Sequence, residues 1–176
     1  MPTASTSIAM LIQRMEASRI ASPRDLAGCS DEEIEQLERR YSVRLPRSYR
    51  SFLQAMGHRS GRLFRYDHWT VTYQDVLRLT EKEREGARQA GADAARRLDA
   101  ILGTDGLIIL GRLGEQFLFV HCDEGDDPVV HYFENYKWAT KTAHLSVMEW
   151  LDSICDECAE AVESGYFEQF PDGTRP

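Results

Sequence analysis

SDEEIEQLERRYSVRLPRSYRSFLQAMG, residues 30–57, holds two helix beginnings, a helix end and an apolar aromatic face in one uninterrupted stretch. Ser30 and Glu33 have the spacing of a capping box. The serine hydroxyl accepts from the amide three residues on, the glutamate reaches back, and Asp31 and Glu32 sit favourably at the positive end of the helix. Ile34, Leu37 and Tyr41 then supply a buried face, while Glu35, Gln36, Glu38, Arg39 and Arg40 are solvated or paired at helical spacing. The Leu45-Pro46 step disfavours helix at Leu45, yet Pro46 suits the first turn of a new one, where its missing N–H costs nothing. Tyr49, Phe52, Leu53 and Met56 repeat at i, i+3, i+4 and i+7, and Gly57 stands where a left-handed C-terminal cap is expected. The stretch predicts an αα corner bearing an aromatic face.

Before it, Ile8, Leu11, Ile12 and Met15 predict a helix over residues 7–18, ending before Pro23. After it, Leu63 to Tyr66 and Trp69 to Tyr73 read as short strands broken by Asp67 and His68. Gln74 to Leu102 reads as one Ala-, Arg- and Glu-rich helix, interrupted near Gly86 or Gly91 and exposed in the middle. Leu107 to Leu110, Phe117 to His121 and Val129 to Phe133 are apolar runs joined by Gly111 to Gly114 and Asp123 to Pro128. Connections this short predict an antiparallel meander. Ser146 and Glu149 form a second capping box, with Leu145 and Trp150 placed to staple across it. Val147, Trp150, Leu151, Ile154, Cys155 and Cys158 form the stripe of a closing helix. The tail at 165–176 has no periodicity.

A chain of 176 residues with 42% hydrophobic and 28% charged residues is expected to form one globular domain, residues 1–176. No run approaches the length of a membrane span, and Gln13, Arg14 and Glu16 interrupt any signal-like core, so a cytoplasmic location is expected, with four free, reduced cysteines. The net charge of −8 is uneven: His121 to Pro176 carries 13 Asp/Glu against 3 Lys/Arg. Such a surface repels phosphate backbones and anionic membranes and attracts basic proteins, so neither nucleic acid nor membrane is expected as a partner.

Ser30, Glu33, Ile34, Leu37, Glu38, Leu45, Pro46, Tyr49, Phe52, Leu53, Met56 and Gly57, followed by the three strands and the helix carrying Trp150, resemble the SUKH superfamily over about residues 30–154. That superfamily includes a fungal cell-wall-synthesis regulator and many bacterial immunity proteins. The sequence departs from it in the long charged segment Glu81 to Arg97. The resemblance implies an α+β fold, a curved, mainly antiparallel sheet flanked by helices. Ile34, Leu45, Pro46, Tyr49, Phe52, Leu53, Gly57 and Trp150 would be its structural motif residues. It also implies binding rather than catalysis, the commonest bacterial role being neutralisation of a cognate toxin; a regulatory or scaffolding module is the alternative.

Other constellations are weighed against plainer readings. Cys155-x-x-Cys158, with His121, Cys122 and His131, contains zinc-ligand types, but the pair lies on an apolar helical stripe, so buried thiols and no metal or other cofactor are expected. None of the five histidines adjoins a Ser or Cys in a nucleophile motif, and His121 and Cys122 point to opposite faces of a strand, so no catalytic residues are expected. The turn Asp123-Glu124-Gly125-Asp126-Asp127 lacks the length and terminal Glu of a calcium loop. As a solvated turn it needs no ligand. As a functional feature it would join Glu134 and an exposed Asp152, Asp156, Glu157 and Glu160 in an acidic patch for a basic toxin, such as a nuclease domain. Tyr136 and Trp138, which follow the last predicted strand near Lys137 and Lys141, would be aromatic anchors exposed for a partner.

Overall fold

The computed structural model describes residues 7–65, 69–112, 116–134 and 137–170. Helix α1 (Ile8–Ala17) leads through a 3₁₀ turn to strand β1 (Leu26–Ala27), then α2 (Asp31–Tyr41), α3 (Arg47–Met56) and strand β2 (Arg59–Ser60). Strand β3 (Trp69–Thr70), α4 (Tyr73–Ala90), α5 (Ala92–Leu102), β4 (Gly106–Arg112), β5 (Gln116–His121), β6 (Val130–Glu134), β7 (Ala139–His144), α6 (Val147–Glu163) and α7 (Tyr166–Gln169) complete it. Strands β1 and β2 make a small antiparallel ladder, and β3-β4-β5-β6-β7 form one antiparallel sheet in that order. The architecture is α+β, as the corner and the meander imply. No helix among the described residues is long and apolar enough to cross a membrane.

The sheet is covered on both faces because its central strands, β4, β5 and β6, carry apolar residues on both. On one side Leu107, Ile109, Leu110, Leu118, Val120 and Val130 meet α1, α3 and α6; on the other Ile108, Phe117, Phe119 and Phe133 meet Leu79, Leu98 and Leu102 of α4 and α5. A bulge between Ile108 and Leu110 explains why Ile109 and Leu110 face the same core despite being neighbours. At that bulge the buried Thr80 hydroxyl accepts from the Ile108 amide at 2.9 Å, so the irregular backbone keeps a partner.

The motif residues are the centre of the larger core. Ile34, Leu45, Pro46, Tyr49, Phe52, Leu53 and Trp150 are all buried. The Trp150 ring lies 6.2 Å from that of Phe52 and 5.7 Å from that of Phe64, within the range of favourable aromatic pairs. Burial pushes the Tyr49 hydroxyl far above its ordinary pKa.

Several expectations change. Gly57 is right-handed (φ −63°), not left-handed; a Cβ there would stand 2.6 Å from Cys29 Sγ, so close packing explains the glycine. Leu63 to Arg65 form a turn instead of a strand, the buried Leu63 and Phe64 filling the core, and Tyr66 lies outside the described residues. The strand at Trp69 stops at Thr70, because Thr72 and Asp75 form a capping box that starts α4. The long helix breaks at Gly91 (φ +129°), not at Gly86. Gly111 lies inside β4, facing Leu79, and residues 113–115 of the expected turn are outside the described residues. Leu145 is 73% exposed while Trp150 is in the core, so no staple forms, and Glu149 accepts from the Leu145 amide instead of completing a box with Ser146. Strand β7 was not foreseen.

Candidate functional site

The turn between β5 and β6 is fixed to its surroundings through its backbone and one carboxylate. The Cys122 amide donates to the Asp105 carbonyl at 3.1 Å, and the Ser48 amide, in the first turn of α3, donates to the Asp126 carbonyl at 2.9 Å. Asp127 Oδ1 accepts from the Met148 amide at 3.1 Å, satisfying one of the open donors at the start of α6. Asp123, Glu124, Asp126 and Asp127 are nonetheless exposed, so four carboxylates stand out from a held turn.

Beside them lies Asp105, in the connection from α5 to β4. Its carboxylate is 3.3 Å from His121 Nδ1. Burial disfavours its charged form, but hydrogen bonds from Asp123 and His121 outweigh that and hold Asp105 below the usual carboxyl value. Asp123 moves the other way: its hydrogen bond to Asp105 and the repulsion of that charge raise it. His131 stacks on Phe119, with ring centroids 5.1 Å apart, and its Nε2 is 3.9 Å from Glu124, beyond hydrogen-bond distance. This end of the sheet thus carries crowded negative charge that is only partly compensated.

The other predicted partner-binding residues do not gather there. Glu134 ends β6, roughly 13 Å along the strand from Val130; its side chain is 17% exposed and pairs with Lys137 at 3.0 Å. Trp138 is half-buried at φ +47°, edge-on to Phe133 at 5.8 Å and under the Arg97 guanidinium, so it closes the smaller core instead of standing free as an anchor. Tyr136 lies outside the described residues. Asp152 is buried, not exposed: Arg14 of α1 bridges it to Asp156 and ties α1 to α6. Glu157 lines a groove of about 250 Å³ with Trp69, Arg112, Leu118, Tyr132 and His144. Burial lowers the His144 pKa there, and Lys141 Nζ sits 4.9 Å from the Tyr132 ring.

The thiols are not activated. Burial raises Cys29, Cys122 and Cys158 to about 12 and Cys155 to about 11. Cys155 and Cys158 are buried on α6, with the Cys158 thiol donating to the Arg62 carbonyl at 3.3 Å; Cys122 is only half-buried. A different trio comes together: Cys29, Glu33 and His58 place one ligand atom each within 4.8 Å of one another. Sequence reasoning passed over this trio because Glu33 looked fully engaged in its capping box and His58 lies 25 residues away.

Residues 28–153 match the family described as SMI1 / KNR4 family (SUKH-1). The matched span runs from just before α2 into α6 and contains the whole five-stranded sheet. Among curated proteins nothing matches the chain.

Proposed function

Because the chain belongs to the SMI1 / KNR4 family (SUKH-1), we propose that it is a protein-binding domain with no catalytic activity of its own, an immunity protein that engages a cognate toxin through the acidic β5–β6 turn. The observation that carries this reading is the exposure of Asp123, Glu124, Asp126 and Asp127 on a turn held by α3, α6 and the α5–β4 connection. A held turn loses little freedom when a partner docks, and its concentrated charge speeds encounter with a basic surface. A cation arriving at Asp123 also relieves its repulsion with Asp105. The substrate-binding face of a nuclease toxin has the complementary sign, since it is built to hold phosphates.

The test is co-expression with a candidate toxin, purification of any complex, and association kinetics at increasing salt. Charge reversal at Glu124 and Asp126 is the informative change, because neither side chain supports the fold as Asp127 does at the start of α6. The expected result is association slowed by about tenfold or more at low salt, with dissociation much less affected. Association indifferent to both salt and charge reversal refutes the electrostatic reading, and stable capture of a host regulator in place of a toxin refutes the immunity role.

A further inference from the structure

We infer that Cys29, Glu33 and His58 form a binding site for one divalent transition-metal ion of the zinc type, where the start of α2 meets the end of α3. Thiolate, imidazole and carboxylate are the ligands this kind of ion takes, whereas calcium and magnesium require oxygen donors throughout. The three donor atoms lie within 4.8 Å of one another, and His58 Nε2 is 3.0 Å from both carboxylate oxygens of Glu33.

Two glycines build the site. A Cβ on Gly28 would stand 1.7 Å from the Gln54 carbonyl oxygen, so the chain before α2 lies directly against the last turn of α3, and the Cys29 amide donates to the Leu53 carbonyl at 2.8 Å. A Cβ on Gly57 would stand 2.6 Å from Cys29 Sγ, so that glycine lets the thiol reach the end of α3, where His58 follows. Each donor is then held by a further contact. Ser30 N donates to Glu33 Oε2 at 2.9 Å, the His58 amide donates to the Ala27 carbonyl at 2.9 Å, and the Tyr73 ring meets the imidazole edge-on at 5.4 Å. Tyr73 also donates its hydroxyl to the Glu33 carbonyl at 2.8 Å, fixing the turn that carries the carboxylate. Supporting contacts of this kind orient ligands in metal sites.

Access and charge balance fit the assignment, although the ion must displace a thiol proton that burial and the Glu33 charge hold on Cys29. Cys29 is buried, while the Glu33 and His58 side chains are 32% and 30% exposed, so an ion reaches the thiol from the solvent side. One thiolate and one carboxylate neutralise a divalent cation, with the imidazole neutral; the thiol proton passes to solvent on binding, and the ion takes the place of the His58–Glu33 hydrogen bond. Three protein donors leave a fourth position for water.

The plainer account is a Glu33–His58 ion pair over a structural thiol, and cobalt(II) separates the two. The full chain, reduced and stripped with chelator, is titrated with Co²⁺. One equivalent is expected to produce the near-ultraviolet sulfur-to-cobalt charge-transfer band and the visible bands of a tetrahedral site, and zinc is expected to erase both. Cys29→Ser removes the charge-transfer band, and Cys122→Ser retains it. Should the buried Cys29 variant not fold, His58→Gln, at a partly exposed position, decides: it keeps the wild-type circular dichroism and binds at least about tenfold more weakly. Absence of the charge-transfer band, its survival in Cys29→Ser, or unchanged affinity in His58→Gln overturns the assignment.

Discussion

Substitution of Gly57 separates two explanations for the same glycine. If the residue were left-handed, Asn would be tolerated nearly as well as Gly, and Ala would cost about 1 kcal/mol. The observed backbone is right-handed (φ −63°, ψ −26°), which any L-residue adopts, so the cost must come from what a side chain meets. A Cβ would lie 2.6 Å from Cys29 Sγ, 2.8 Å from the Leu53 carbonyl oxygen and 3.0 Å from Leu53 Cα. The thiol can rotate away, but the helix backbone cannot, and overpacking of this kind costs about 1–3 kcal/mol. Ala also stabilises by restricting the unfolded chain, by about 0.4–1 kcal/mol. The net expectation for Gly57→Ala is a loss of about 1–2 kcal/mol, with Gly57→Asn worse because it adds three more heavy atoms to the same space. Urea unfolding with chelator present, followed by the fluorescence of the buried Trp150, measures both at unchanged m-value. Adding Cys29→Ala to Gly57→Ala should recover part of the loss and leave the share due to Leu53. An Asn variant more stable than the Ala variant, or an Ala variant equal to the wild type, refutes the packing argument.

Arg14→Met should cost about 1–3 kcal/mol, because Asp152 is left buried after losing a charged partner; Asp152→Asn in the same chain should return part of it, and a double variant no better than the single contradicts this. Asp127→Ala should cost about 1 kcal/mol by removing the acceptor of the Met148 amide in the first turn of α6, whose Ser146 cap remains, while Asp127→Asn keeps most of the stability, an ordering that thermal melts test. Asp123 has a raised carboxyl pKa, so its contribution is full below the ordinary value of 3.8 and is lost as pH rises through its folded value. Asp105 is lowered, so its contribution is present above 3.8 and is lost as pH falls through its folded value. Asp123→Asn keeps a donor for Asp105 and removes the second charge, so its stability relative to the wild type should improve as the pH rises from 3.8 through the raised folded value of Asp123. A pH-independent difference in denaturation midpoints contradicts the coupling of Asp123 to Asp105.

The helical corner was legible because its signals are local. Ser30 and Glu33 make both bonds of the capping box, and the apolar residues at helical spacing after Pro46 are all buried. The strand expected through Tyr73 failed against an equally local signal, the Thr72-x-x-Asp75 box, which overrides the β-type composition of Trp69 to Tyr73. Leu63 and Phe64 read as strand because they are apolar and adjacent, yet a turn buries them by setting Phe64 against Trp150. Strand β7 escaped notice for the opposite reason. Ala139–His144 is an edge strand with its first four residues exposed, so nothing in it alternates between apolar and polar.

The candidate sites were less legible because charge counted along a chain says nothing about which charges are already spent. Most of the acidity lies after His121, but Asp152 and Asp156 are drawn to Arg14, Glu134 to Lys137, and Asp127 to the start of α6. What remains concentrated is the β5–β6 turn, beside which Asp105 hydrogen-bonds to Asp123 and repels its charge. At the other site the reverse holds: Cys29, Glu33 and His58 each have an adequate local explanation, as thiol, helix cap and post-helix residue. Only the close approach permitted by Gly28 and Gly57 turns them into a set of converging donors. The proposed binding surface follows from charges left over after folding, and the proposed donor set from backbone proximity, so sequence spacing discloses neither.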